Sequence, residues 1–157
     1  MLGASLRPYG SQRRELVALA IRRGDTVPDD MGTFRVDVEI ENPALPGTRA
    51  RAGNVLVDTG AELSWFPAAL LESLHIRRRV RSRFRQADGT ILERWTGSAW
   101  LYVAGATATD DVVFADPDDL TLLGARSLEG LNLRIDPVLK QLIDAGPAPA
   151  AVLASVS

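Results

Sequence analysis

The triplet Asp58-Thr59-Gly60 is where this 157-residue sequence concentrates its capacity for chemistry. It follows Val55-Leu56-Val57, a short continuous apolar run of the kind a strand buried on both faces requires. A carboxylate at the end of such a strand sits on a rigid support at a sharp turn. The glycine lets backbone approach closely there, and nearby backbone N–H groups can bond the carboxylate. Other chemistries are excluded by residue counts. Zero cysteines rule out disulfides, thiolate nucleophiles, Fe–S clusters and cysteine-rich zinc sites. The single histidine, His75, leaves no His-rich metal site and no histidine relay. Asp116, Asp118 and Asp119 resemble half a calcium loop, but lack its spacing and terminal glutamate. There is no phosphate-binding glycine loop and no dinucleotide fingerprint. The expectation is chemistry by carboxylates and hydroxyls, with no metal and no cofactor.

Composition bounds the rest. With 46% hydrophobic and 24% charged residues, and 18 basic against 20 acidic side chains, the chain suits one ordinary domain. This balance excludes wholesale disorder and an overall basic nucleic-acid binder. No apolar run approaches the roughly 20 residues of a membrane span, and no basic-then-apolar leader precedes a cleavage site. A soluble, cytoplasmic domain is expected.

The elements that must position Asp58 are mostly strands. Ser11 can cap a helix over Gln12–Arg23, with Glu15 in its first turn and Gly24 as its stop. Asp25–Asp30 reads as a linker, and Met31, the only internal methionine, as an alternative start. From Phe34 the period changes to two, with Phe34, Val36, Val38 and Ile40 alternating against Arg35, Asp37, Glu39 and Glu41. Pro67 opens a short helix through Leu74. A strand from Arg79 to Gln86 turns at Asp88-Gly89 and returns through Trp95. Strands at Ala99–Val103 and Thr107–Phe114 flank Gly105. Leu120–Gly124 is another apolar run, Arg126–Leu131 a short helix, and Leu133–Ile135 and Lys140–Ile143 flank an Asp136-Pro137 turn. Residues 1–30 form an N-terminal extension, 31–144 the domain, and 145–157 a flexible Ala/Pro-rich tail.

Three pieces in this order carry a resemblance. They are Val-Leu-Val-Asp-Thr-Gly-Ala (Val55–Ala61), the hairpin around Ala87-Asp88-Gly89-Thr90, and Leu120-Thr121-Leu122-Leu123-Gly124 with its following helix, about 64 residues beyond the triplet. Leu131–Ile135 is similar to a further C-terminal strand. Over roughly Phe34 to Ile143 the chain resembles a retropepsin-like (clan AA) aspartic protease, close to the bacterial single-domain members. The resemblance implies a mostly β, closed acid-protease barrel lobe with one or two short helices, acting as a homodimer.

The implied activity is endopeptidase, with a peptide or protein substrate. Peptide hydrolysis without metal or covalent intermediate needs one carboxylate to activate water and another to protonate the scissile carbonyl. Two close carboxylates share one proton, a logic that belongs to aspartic proteases in general and is carried over with the resemblance. This chain holds a single Asp-Thr-Gly, and Asp88-Gly89-Thr90 has the wrong order. A dyad therefore requires Asp58 from each of two subunits, titrating as a pair.

The resemblance also distributes roles. Thr59 would hydrogen-bond across the dimer axis, and Gly60 would offer its backbone to substrate beside Ala61. Asp88, Gly89 and Thr90 would form the tip of a flap closing over the peptide. Leu120 and Leu122 would line side-chain pockets, or pack as core. Viral members brace the site with an Asp–Arg pair. Here those positions are Glu62 and Ala125, with Arg126 next, so Glu62 and Arg126 are the expected substitute. The alternative function is a catalytically weak or inactive dimer of the same fold that binds peptide or a protein partner.

The second feature is an arginine run, Arg77, Arg78, Arg79, Arg81, Arg83 and Arg85. Alternation places Arg79, Arg81, Arg83 and Arg85 on one strand face, read as a solvated face that keeps the strand soluble. Acidic substrate segments or nucleic acid are the sharper readings, the latter weakened by balanced charge. His75 reads as a helix-end residue, and Trp65, Trp95 and Trp100 as core or flap packing.

Overall fold

The computed structural model describes residues 34–151 and the backbone of Glu15–Val17. Ten strands and two short helices follow in the order β1 (Glu15–Val17), β2 (Arg35–Glu41), β3 (Arg49–Val57), β4 (Ser64–Pro67), α1 (Ala68–Ser73), β5 (Val80–Arg85), β6 (Ile91–Val103), β7 (Ala106–Ala115), β8 (Leu122–Leu123), α2 (Ala125–Gly130), β9 (Leu133–Asp136) and β10 (Gln141–Asp144). Among the described residues no helix is long and apolar enough to cross a membrane.

The chain is mostly β, but the expected closed barrel is corrected to an eight-stranded mixed sheet. Its order is β1-β5-β6-β2-β3-β8-β4-β7, with β6 also paired to β7, and β9–β10 form a separate hairpin. The departure from a uniform barrel comes from β6. Its Thr96–Val103 half pairs with β7, while its other edge is shared between β5, at Ile91–Thr96, and β2, at Trp100–Tyr102. The sheet thus folds back on itself through β6, and β5 and β1 stand outside that circuit.

Three local expectations also change. The helix over Gln12–Arg23 is contradicted at Glu15–Val17, which is a strand pairing in parallel with Arg83–Arg85; the remainder of that range lies outside the described residues. A short isolated helix with a thin apolar stripe is marginal, whereas the open edge of β5 offers backbone partners. β3 begins six residues earlier than the apolar run, because Arg49 and Arg51 pair with Glu39 and Asp37 across β2. β6 runs unbroken through Gly97, where a Cβ would stand 2.3 Å from the Arg77 carbonyl oxygen.

The period-two reading of the first strand holds through Ile40, with Val38 and Ile40 fully buried, and fails at Glu41, which is buried because Tyr102 and the Gly47 N–H bond its carboxylate. At the ends of β3, β4, β7 and β8 both faces are buried, and alternate residues enter different cores. Val55, Val57, Phe66, Val112, Phe114 and Leu123 join one cluster with Val38, Ile40, Leu71 and Leu101. Leu56, Trp65, Val113, Ala115 and Leu122 join a second with Ala61 and Leu63. Each such aliphatic side chain contributes about 1.5–3 kcal/mol by burial. Phe84 and Leu92, one from each strand of the β5–β6 hairpin, belong to that second cluster, and Phe84 meets Trp65 with ring centroids 5.1 Å apart. The hairpin is therefore anchored on the layer that ends in Asp58. Phe84→Ala should cost about 3–5 kcal/mol in a urea titration, with the hairpin amides losing hydrogen-exchange protection. A loss below about 1 kcal/mol would refute the anchor.

Candidate active site

Asp58 leaves β3 with its N–H donating to the Leu123 carbonyl at 3.0 Å, so the parallel β3–β8 pairing delivers it to a fixed place. The chain then turns, with the Ala61 N–H donating to the Asp58 carbonyl at 3.3 Å. Two more backbone bonds tie this turn to the start of α2: Ala125 N–H to the Ala61 carbonyl at 2.8 Å, and Arg126 N–H to the Glu62 carbonyl at 2.9 Å. Gly124 makes the approach possible. A Cβ there would lie 2.5 Å from the Leu63 carbonyl oxygen and 2.9 Å from that of Ala61. The two expected motifs, Asp58–Ala61 and Leu122–Gly124, are thus brought together.

The carboxylate is held at one oxygen only. Asp58 Oδ1 accepts the Gly60 N–H at 2.9 Å, a local Asx-type bond. Oδ2 is buried without a hydrogen-bond partner. Burial raises the Asp58 pKa above the ordinary carboxylate range, outweighing the Gly60 and Ala61 N–H groups, which favour the charged form. The site can hold a proton at Oδ2 or receive a donor there.

The other expected residues divide. Thr59 and Gly60 are exposed at the turn. Asp88-Gly89-Thr90 forms the exposed tip of the β5–β6 hairpin: Gln86 N–H donates to the Thr90 carbonyl at 2.7 Å, Thr90 N–H to Asp88 Oδ1 at 2.8 Å, and Gly89 takes φ +90°, which suits glycine. Leu122 is a core residue, 2% exposed, and Ala61 is buried beside it, while Leu120 is half-buried against the same cluster. Of the two leucines, only Leu120 borders solvent.

The expected Glu62–Arg126 side-chain brace is not formed. The two residues meet through their backbones, and the Arg126 guanidinium instead pairs with Asp110 at 2.8 Å and Asp111 at 3.3 Å. The arginine face is as expected, with Arg81 and its alternating partners exposed and Ser82 and Phe84 buried. Arg81 pairs with Glu93 at 2.9 Å. His75 is exposed just past α1 at φ +60° and donates its N–H to the Glu72 carbonyl. Trp65 is core. The Asp116–Asp119 cluster is organised by a cation of the chain itself: Arg94 grips buried Asp119 through Nε at 2.7 Å and Nη2 at 3.0 Å, and reaches Asp116 at 3.3 Å.

The sequence reading missed the polar residues behind the turn. Ser64 and Ser127, both fully buried, approach Oγ to Oγ at 2.5 Å; Gly124 N–H donates to Ser64, and Ser127 donates to Asp110. Their separations of 63 and 17 residues carry no local periodicity that would have exposed them.

The raised Asp58 pKa fixes the sign of a stability experiment. Above its folded pKa the carboxylate is charged in a site that disfavours charge, so folding stability falls as pH rises through that value. Asp58→Asn should therefore melt at a higher temperature than wild type near neutral pH, and the difference should vanish once the solution is acid enough to protonate Asp58 in both states. An equal or lower Tm at neutral pH would contradict the desolvated carboxylate. No protein-family model matches this chain and no curated protein matches it, so the residues around Asp58 carry the functional reading by themselves.

Proposed function

We propose that two copies of this chain assemble as an aspartic endopeptidase of retropepsin type, with Asp58 from each copy forming the reacting pair. The observation carrying this reading is the half-buried Asp58, one oxygen fixed by Gly60 and the other buried without a partner, at a turn whose Thr59 and Gly60 are exposed. A single buried carboxylate cannot both take a proton from water and give one to a carbonyl in the same step. A two-fold axis beside Thr59 supplies the second.

In that assembly one carboxylate accepts a proton from water as the water oxygen attacks the scissile carbonyl carbon. The protonated carboxyl of the other copy gives its proton to the carbonyl oxygen, forming a neutral gem-diol. In breakdown the first carboxyl gives its new proton to the leaving nitrogen, and the second carboxylate takes a proton from a gem-diol hydroxyl. The C–N bond breaks to release an amine and a carboxylic acid, restoring the singly protonated pair. The exposed Asp88–Thr90 tip would close over an extended peptide that adds as a strand. A shared proton accords with the raised pKa of each Asp58 on its own, since a second carboxylate raises it further.

A second reading, a dimer that binds peptides without cutting, is favoured by one observation. Arg126 is committed to Asp110 and Asp111, which leaves the Asp58 turn without a side-chain ion pair to Glu62.

The two readings separate in one experiment. Wild type and Asp58→Asn are incubated with an unbiased peptide mixture from about pH 4 to 7, products are read by mass spectrometry, and mass is measured by sedimentation. Cuts made by wild type and reduced at least about 100-fold in the variant, with both proteins dimeric, are expected. Folded dimers that never cut would favour the binding reading. Monomers, or identical cutting by both proteins, would end the dyad.

A further inference from the structure

The polar residues behind the Asp58 turn form a chain whose direction can be worked out. Asp110 Oδ1 accepts from Arg126 Nε at 2.8 Å and from the Asp111 N–H at 2.8 Å. Its Oδ2 accepts the Ser127 hydroxyl proton at 2.8 Å. A serine hydroxyl has one proton, so Ser127 has none left for Ser64, and in the 2.5 Å contact between them Ser64 must be the donor. Ser64 Oγ in turn accepts the Gly124 N–H at 2.9 Å. The sequence Gly124 N–H to Ser64 to Ser127 to Asp110 is thus fully satisfied and runs one way, fixed by an acceptor-only carboxylate at its end.

This chain ends on the glycine that the Asp58 turn cannot do without. Gly124 is the close-packed neighbour of Ala61 and Leu63, and the adjoining Leu123 carbonyl receives the Asp58 N–H. We infer that Asp110 is a positioning residue for Asp58, acting through Ser127 and Ser64 on the Gly124 turn, with Arg126 holding the far carboxylate oxygen. The brace is therefore internal to one chain and attaches to the turn from behind, in place of a Glu62–Arg126 pair. The inference rests on the reading of Asp58 as the working carboxylate.

A purely structural role would lower global stability and leave the Asp58 environment unchanged in whatever stays folded. The test uses the full chain with Asp110→Asn, Ser127→Ala and Ser127→Thr. Two readouts by NMR are hydrogen exchange of the Gly124 amide and the carboxyl carbon titration of Asp58. Asp110→Asn and Ser127→Ala should speed Gly124 exchange by at least about tenfold, the scale of one lost hydrogen bond. They should also move the Asp58 midpoint down toward the ordinary carboxylate range, as water reaches Oδ2. Ser127→Thr keeps the hydroxyl and should preserve both readouts. The Ser127 pair, which changes no charge, keeps the test readable if Asp110→Asn does not fold. Folded Ser127→Ala with a wild-type Gly124 amide and a wild-type Asp58 midpoint would overturn the inference. Neither readout needs peptide cleavage, so a failed cleavage assay would count against the endopeptidase and leave this result to stand or fall separately.

Discussion

Backbone atoms of Leu123–Arg126 lie against those of Asp58–Leu63 at a separation that admits no side chain at position 124, where even a methyl carbon would fall 2.5 Å from a carbonyl oxygen. Three hydrogen bonds cross this seam, from Asp58, Ala125 and Arg126. Everything else of interest is arranged around it. The two-residue strand β8 is short because the chain must leave the sheet at once to run along the turn. α2 starts immediately after Gly124 for the same reason. The Asp58 backbone is fixed by the seam, and its carboxylate is half-buried where the seam begins, which raises its pKa.

The layer beneath the seam explains why a short apolar run could be so strictly placed. Leu56 and Leu122 are neighbours in register and enter one core, while Val57 and Leu123 are the next pair and enter the other. Slipping either strand by one residue would exchange the two cores and move Asp58 to the opposite face. Register here is therefore enforced twice, once on each side of the sheet.

Some of this was legible in the sequence and some was not. The alternation from Phe34 to Ile40 reports one solvated face, and a period of two is its direct trace; it breaks at Glu41, which is buried against Tyr102 and the Gly47 N–H. Val55-Leu56-Val57 was readable as a strand covered on both sides. Leu122 was ambiguous, because an apolar residue near an Asp-Thr-Gly turn looks the same in sequence whether it lines a pocket or fills a core. β4 escaped notice: Ser64–Pro67 is too short for periodicity and ends in a proline that announces the next helix. Arg94–Asp119 and Arg126–Asp110 are ion pairs between residues 25 and 16 apart, joined only by tertiary folding. The helix reading of Gln12–Arg23 fails at Glu15–Val17, the part of it that is described, because capping residues state a local preference, which a neighbouring strand edge overrides there.

β6 has a mechanical consequence. It is a single 13-residue strand, about 43 Å long at the usual rise, whose first half is an arm of the flap-like hairpin and whose second half is built into the sheet on both edges. A hairpin hinged on loops swings as a door. This one is a beam held at two places: at Thr96 and Gly97, where β5 and β7 grip opposite edges and the Arg77 carbonyl lies where a Cβ would sit, and near its tip, where Phe84 and Leu92 are packed into the core beneath Asp58. Only the reach beyond Leu92 is left to bend, so lifting the Asp88–Thr90 tip any further means drawing those two side chains out of the core.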